Sequence, residues 1–210
     1  MYADIVYPDK NEKEFIQMAE KLGYGALVFA YPLPSIPSSL PSGRNVKLFR
    51  AADASFRELN KAKKEVDFVF CEKDLNSQLV FEGRMADLIY GFGLHEKQDP
   101  LHQRASELNQ ILCKLAAKNK VAVGFPFRAF LTASPLQQSF YLGRLAQNWE
   151  LCRKYKVPMV IGSFARHPLE MRAPRDLISF FSLAGAHPHE AQQAFQAIFS
   201  ARSNKTNVFK

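Results

Sequence analysis

The sequence predicts an α/β protein in which about seven mostly parallel strands close into a barrel, and three observations carry that reading. Short runs rich in Val, Ile, Phe and Tyr recur along the chain: "ADIVY", "ALVFAY", "VKLFRA", "DFVFCE", "ADLIYGF", "VAVGFPF" and "PMVIGSF". They are continuously apolar, the pattern of strands covered on both faces. Amphipathic helical segments separate most of them, which is the alternation of a parallel sheet. The 210 residues, 47% hydrophobic, can supply one substantial core, and no linker or internal repeat divides residues 1–210, so a single domain is expected. The main rival is an open doubly wound sheet. That fold usually carries a glycine-rich turn after its first strand, and "YPDKNEKE" there has no glycine.

The elements follow in order. Asp9 and Glu12 have the spacing of a capping box, opening a helix whose Phe15, Met18, Ala19 and Leu22 recur at i, i+3, i+4, i+7. The second strand runs into "YPLPSIPSSLPSG", residues 31–43, whose four prolines forbid a regular helix and predict an ordered surface loop. Leu108, Ile111, Leu112 and Leu115 mark the apolar face of a helix before the sixth strand. Ser134 and Pro135 read as cap and first turn of a long helix reaching about Tyr155. After the seventh strand, helices begin near Pro174 and near Pro188, and a polar tail, "RSNKTNVFK", occupies residues 202–210. An eighth strand is not visible.

Charge is unevenly placed. Residues 1–100 hold 13 Lys+Arg against 15 Asp+Glu, net −2, whereas residues 101–210 hold 15 against 5, net +10. A positive field confined to one half is the footprint of a polyanion partner such as nucleic acid, or else a solubilising surface. No apolar run reaches about 18 residues, which argues against a membrane span. Asp4 and Asp9 lie where a signal peptide would be basic and then apolar, so a cytoplasmic location is expected. Cys71, Cys113 and Cys152 lack zinc-site spacing and read as core thiols of a reducing compartment.

Catalytic signatures are weak. The five histidines, His95, His102, His167, His187 and His189, all come after the fifth strand, whereas a metal barrel needs ligands converging from several strand ends. "HPH" at 187–189 falls on a helix start and reads as a capped turn. Asp4, Asp53 and Asp87 are either isolated acids of a site or structural hydrogen-bond acceptors, the commoner case. Ser163 lacks the flanking glycines of a nucleophile elbow. "GFPFRAFL" superficially suggests an RNA-binding aromatic strand, but Val123 stands where Lys or Arg would precede the glycine. Phe125, Phe127 and Phe130 are therefore read as packing residues. Arg128 interrupts that apolar stretch as a salt-bridge partner or as an RNA contact.

The helix starting near Pro174 raises a specific electrostatic question. Helix N-termini repel cations, yet Arg166, Arg172 and Arg175 gather there with only Asp176 as the favoured acidic type. A bound phosphate would accept the free N–H groups and pair with the arginines, Arg172 and Arg175 forming a clamp and Asp176 capping the helix. An internal Arg–Asp lock is the alternative.

In order and spacing, "KNKVAVGFPFRAFL", "LCRKYKVPMVIGSFA" and "MRAPRDLISF" resemble the archaeal ribonuclease P protein component 3 (Rpp30) family, clearly over about residues 110–185 and more faintly over almost the whole chain. The resemblance implies a distorted TIM-like barrel related to PHP phosphoesterases. It implies a non-catalytic subunit of the ribonucleoprotein that removes 5′ leaders from precursor tRNA, inactive alone, with no intrinsic cofactor and with Mg2+ on the RNA. Implied partners are ribonuclease P RNA, precursor tRNA, component 2 (the Pop5-like protein) and other ribonuclease P proteins, with no membrane. Lys118, Lys120, Arg128, Lys154, Arg166, Arg172 and Arg175 are the expected RNA-binding residues, with Asp176 shaping the site. The chain departs from the family pattern in its proline-rich loop, in "DLNSQLVFEG", and in Gln110, where the family has histidine. The other readings are a metal-dependent PHP-like phosphoesterase and a phosphate-binding metabolic barrel.

Overall fold

Each of the seven apolar runs forms a strand in a computed structural model that describes residues 1–43, 45–94, 98–101 and 104–199. They are β1 (Ala3–Val6), β2 (Ala26–Pro32), β3 (Lys47–Asp53), β4 (Phe68–Glu72), β5 (Leu88–Tyr90), β6 (Ala122–Pro126) and β7 (Met159–Gly162). Each pairs in parallel with the next in sequence order. The ring closes between β7 and β1, where Val6 bridges Ala165 and the Tyr7 N–H donates to the Ala165 carbonyl at 2.7 Å. Buried Asp4 reinforces this seam, its Oδ1 accepting from the Ser163 N–H at 2.6 Å and the Ile5 N–H at 2.9 Å. Closure removes the exposed sheet edges that otherwise invite aggregation.

Alternation along the strands separates two cores. Ile5, Val28, Ala30, Ala51, Phe68, Phe70, Leu88 and Val160 fill the barrel, while Leu27, Phe29 and Tyr31 face the outer helices. The interior is a packed core rather than a pore. Its N-terminal end is plugged by Ile198 and Phe199, the Phe199 ring lying 5.1 Å from Phe49 and 5.9 Å from Phe68.

The covering helices are α1 (Glu12–Leu22), α2 (Leu59–Ala62), α3 (Ser77–Glu82), α4 (Gln110–Asn119), α5 (Phe127–Leu131), α6 (Pro135–Tyr155), α7 (Pro174–Leu183) and α8 (Pro188–Ala194). Ser134 caps α6 as its sequence predicts: its Oγ accepts from the Gln137 N–H, and Gln137 Oε1 accepts from the Ser134 N–H at 3.1 Å. The start of α1 differs from expectation. Its N-cap is Asn11, and no Asp9–Glu12 box forms, because the Asn11 Oδ1 accepts from the Asp9 N–H at 2.9 Å and Lys10 turns the chain at φ 60°. The apolar face of α4 is also rotated from the predicted one: Leu112, Cys113 and Ala116 are buried, while Ile111 is 56% exposed. Asn109 caps that helix through the Ile111 and Leu112 N–H groups, so the helical phase begins only after Leu108.

The proline-rich segment is an ordered loop. After a 3-10 turn at Leu33–Ser35 it is held by the Arg50 guanidinium, which donates to the carbonyls of Pro37 at 3.1 Å and Ser38 at 3.3 Å. All three cysteines are buried and free. The polar tail at 202–210 lies outside the described residues.

Candidate nucleic-acid interface

Topology divides the predicted basic residues between opposite ends of the barrel. Arg128 follows β6, and Arg166, Arg172, Arg175 and Asp176 follow β7, so these stand at the C-terminal ends of the strands. Lys118 and Lys120 end α4 just before β6, and Lys154 ends α6 just before β7, so these stand at the N-terminal ends. A five-residue strand such as β6 spans roughly 15 Å. One phosphate cannot engage both groups.

An acid that sequence reasoning did not single out organises the C-terminal-end cluster. Glu170 Oε2 accepts from Arg128 Nε at 3.0 Å and from the Arg166 N–H at 2.8 Å. Burial alone would raise the Glu170 pKa, but the Arg166 N–H, the Arg128 charge and the Arg128 hydrogen bond outweigh it and hold the carboxyl below its usual range. Arg128 is fixed further by its backbone N–H, which donates to the Ser163 carbonyl at 2.9 Å. The salt-bridge reading of Arg128 therefore describes its resting contact. The signal available in sequence was a lone acid among basic residues in "ARHPLEMR".

Arg172 and Arg175 behave differently from one another. Arg172 Nη1 donates to the carbonyls of Leu169 at 2.9 Å and Met171 at 2.8 Å, and its guanidinium lies 5.9 Å from the centre of the Phe127 ring. The Tyr24 hydroxyl donates to the Arg172 carbonyl at 2.7 Å, pinning the backbone. This fastens the loop and leaves guanidinium N–H groups to spare. Arg175 and Asp176 are exposed on the first turn of α7. The N-cap is Ala173 without a side-chain cap bond, so Asp176 does not cap the helix. Among the described residues no Arg–Asp ion pair joins it to Arg172 or Arg175, so the internal lock is not formed.

The isolated acids serve the fold. Asp4 holds the seam, and Asp87, one residue ahead of β5, accepts from the Val69 N–H at 2.8 Å. Asp53 accepts from the Tyr90 hydroxyl at 2.6 Å, and burial raises its pKa most strongly. His187 caps α8 in a box with Glu190, as a capped turn should. Phe125 and Phe127 are buried, and Phe127 meets Phe180 edge-on at 4.9 Å.

The barrel mouth, where enzymes of this architecture keep their chemistry, is filled by aromatic rings. Phe164 lies 6.2 Å from Tyr7 and 5.3 Å from Tyr90. Phe164 takes φ 52°, a left-handed conformation uncommon for a bulky residue. Among the described residues no three His, Cys, Asp or Glu side chains come together as a metal site. His95 and His102 lie outside the described residues. Among the described residues, Asp53 and the Glu72 carboxylate near it gather no third ligand, so they do not make up the metal set of a PHP-like phosphoesterase.

Sequence comparison points to one family. A family model described as RNase P subunit p30 matches residues 98–205. The ribonuclease P protein component 3 of Methanosarcina mazei is 26% identical over 198 residues, covering 89% of this chain and 80% of its own length. In fold, the chain is similar to one in a cryo-EM structure of archaeal ribonuclease P with mature tRNA, with a TM-score of 0.76 and 17% identity over 98% of this chain and 92% of that one. It is also similar to the histidinol phosphate phosphatase of Lactococcus lactis, solved with zinc, L-histidinol and phosphate. There the TM-score is 0.55 and the identity 12%, over 89% of this chain and 94% of that one.

Proposed function

The chain belongs to the RNase P subunit p30 family, and on that premise we propose that it works as an RNA-positioning protein subunit of ribonuclease P, the endoribonuclease that matures tRNA 5′ ends. The observation that carries this reading is a coincidence of place. The family match at residues 98–205 coincides with the basic half of the chain, net +10 from residue 101 onward, and contains the whole arginine cluster after β6 and β7.

The physical role follows from the cluster. Arg128 is held by a single carboxylate, Arg172 by two carbonyls, and Arg175 projects from a helix start with its free N–H groups. Prepositioned guanidinium groups bind phosphates in bidentate geometry with little ordering cost. An RNA phosphate beside α7 would complement both the arginines and the helix terminus. We assign the catalytic Mg2+ to the RNA, because aromatic rings pack the mouth and Asp4 and Asp53 are engaged in structural bonds. The protein then contributes no nucleophile and acts by stabilising the RNA fold, in company with component 2 and other subunits.

Reconstitution tests this. Precursor tRNA cleavage should need the RNA and should rise when the chain is added to the RNA and remaining proteins. Mg2+-dependent cleavage by the rigorously RNA-free chain would overturn the non-catalytic assignment.

A further inference from the structure

Glu170 is an acid set among the arginines that follow β6 and β7. It ends the 3-10 turn Pro168–Glu170, between Arg166 and Arg172 in sequence, and reaches across to Arg128 on α5. A carboxylate placed there weakens the positive field that draws a polyanion to the surface, so its presence calls for a physical reason. Resting on the reading of the chain as a ribonuclease P subunit, we propose that Glu170 is a positioning residue: it grips Arg128 through Nε and thereby aims the two Nη groups of that arginine at an RNA phosphate. The pair persists in the complex and is not displaced by the RNA.

The nitrogen used is the first support. Arg128 Nε donates to Glu170 Oε2 at 3.0 Å, and among the described residues neither Nη group of Arg128 makes a hydrogen bond. An arginine that meets a carboxylate for strength alone does best with two parallel N–H bonds. This one gives a single bond from the side of its fork and leaves the end-on pair of Nη groups for another acceptor. Those two groups have the bidentate geometry that suits a phosphate.

Both ends of the grip are fixed, which is the second support. The Glu170 N–H donates to the His167 carbonyl at 2.9 Å, its carboxylate also accepts from the Arg166 N–H at 2.8 Å, and the Tyr24 hydroxyl holds the carbonyl of Arg172 two residues on. On the other side, the Arg128 N–H donates to the Ser163 carbonyl at 2.9 Å, and Phe127 before it is buried edge-on to Phe180. A free arginine loses rotamer freedom when it binds, whereas one already held loses less. A part-exposed pair joined by one hydrogen bond adds only modestly to stability. The fold alone therefore gives a weak reason for an acid at this place.

Titration of the full chain against transcribed ribonuclease P RNA at fixed salt tests the proposal. If charge alone mattered, Glu170→Ala would tighten binding, because it removes an acid beside a polyanion site. Positioning predicts the opposite sign: an affinity about three- to tenfold weaker, the cost of ordering one long side chain. Glu170→Gln keeps an accepting oxygen and should bind at least as tightly as the unaltered chain. Glu170→Asp keeps the charge but shortens the reach, so it should weaken binding, and it carries the test if the alanine variant fails to fold. Arg128→Ala should also weaken binding, and adding Glu170→Ala to it should cause no further loss, because the acid acts through that arginine. Tighter binding by Glu170→Ala, full affinity in Glu170→Asp, or a further loss in the double variant overturns the positioning role and leaves the subunit reading standing. An Arg128→Ala chain that binds like the unaltered one does the same. Absence of RNA binding by the unaltered chain overturns the parent reading as well.

Discussion

At the scale of single residues, the arginines after β7 separate by what already holds them. Arg172 anchors two carbonyls, so Arg172→Ala should cost about 1 kcal/mol of stability and weaken RNA binding by about 1–3 kcal/mol if it also touches phosphate. Arg175 makes no side-chain hydrogen bond or ion pair among the described residues, so Arg175→Ala should shift stability by less than about 0.5 kcal/mol. Denaturation followed through the one tryptophan, Trp149, beside a binding titration separates the two effects. Equal destabilisation by both changes would contradict the contacts described. Asp4 makes a prediction about pH. Burial raises its pKa from 3.8 to about 6, against the lowering effect of its Ser163 and Ile5 hydrogen bonds. The folded chain thus keeps this proton longer than the unfolded chain. Its contribution is full below about pH 3.8 and is lost as pH rises through about 6. Asp4→Asn cannot ionise and should flatten the fall in unfolding midpoint across that window, whatever constant penalty the amide brings.

At the scale of elements, helix ends differ in how completely they are satisfied. The capping box of α6 predicts that Ser134→Ala costs about 1 kcal/mol. Ala173, at the N-cap of α7, has φ −61° and ψ 148°, the extended geometry that a capping serine adopts. Ala173→Ser should therefore stabilise the chain by about 0.5–1 kcal/mol, and a lower denaturation midpoint would show that the loop cannot accommodate the hydroxyl. The tie between α6 and α8 titrates in the direction opposite to Asp4. The Arg153 hydrogen bond, together with the His187 N–H and Trp149, holds Glu190 at about 2, below its ordinary 4.5. That stabilisation is present above about pH 4.5 and disappears as pH falls toward 2. Glu190→Gln should lose stability at neutral pH and shed part of the acid dependence.

At the scale of the whole molecule, one end of the barrel is sealed by residues distant in sequence. Ile198 is fully buried against residues of β1 to β5, formed more than a hundred residues earlier, and of β6 and β7. Ile198→Ala should cost about 2–5 kcal/mol through cavity formation, far more than a surface change nearby. A small effect would mean that the barrel interior does not depend on its C-terminal plug. The division of charge predicts that RNA affinity falls steeply with salt. Neutralising Lys118, Arg128, Lys154 and Arg172 together should reduce that slope more than any one of them does, because they stand at two ends and do not share a single phosphate.

The seven strands, their parallel order and the start of α6 were legible in the sequence because each depends on local pattern: apolar runs, alternation with helices, and Ser–Pro at a helix entry. The gathering of arginines near Pro174 was legible for the same reason, since Arg166, Arg172 and Arg175 lie close in sequence. The phase of α4 and the cap of α1 were not, because Asn109 and Asn11 each chose a helix start among several with similar spacing. Only the tertiary structure joined Arg128 to Glu170, 42 residues apart, and brought Tyr24 to the Arg172 carbonyl, 148 residues apart. Only it placed the lysines and arginines at opposite ends of the barrel. Local pattern determines which segments become strands and helices, but the partner of a charged side chain is set by barrel closure, which brings distant strand ends within a hydrogen bond of one another.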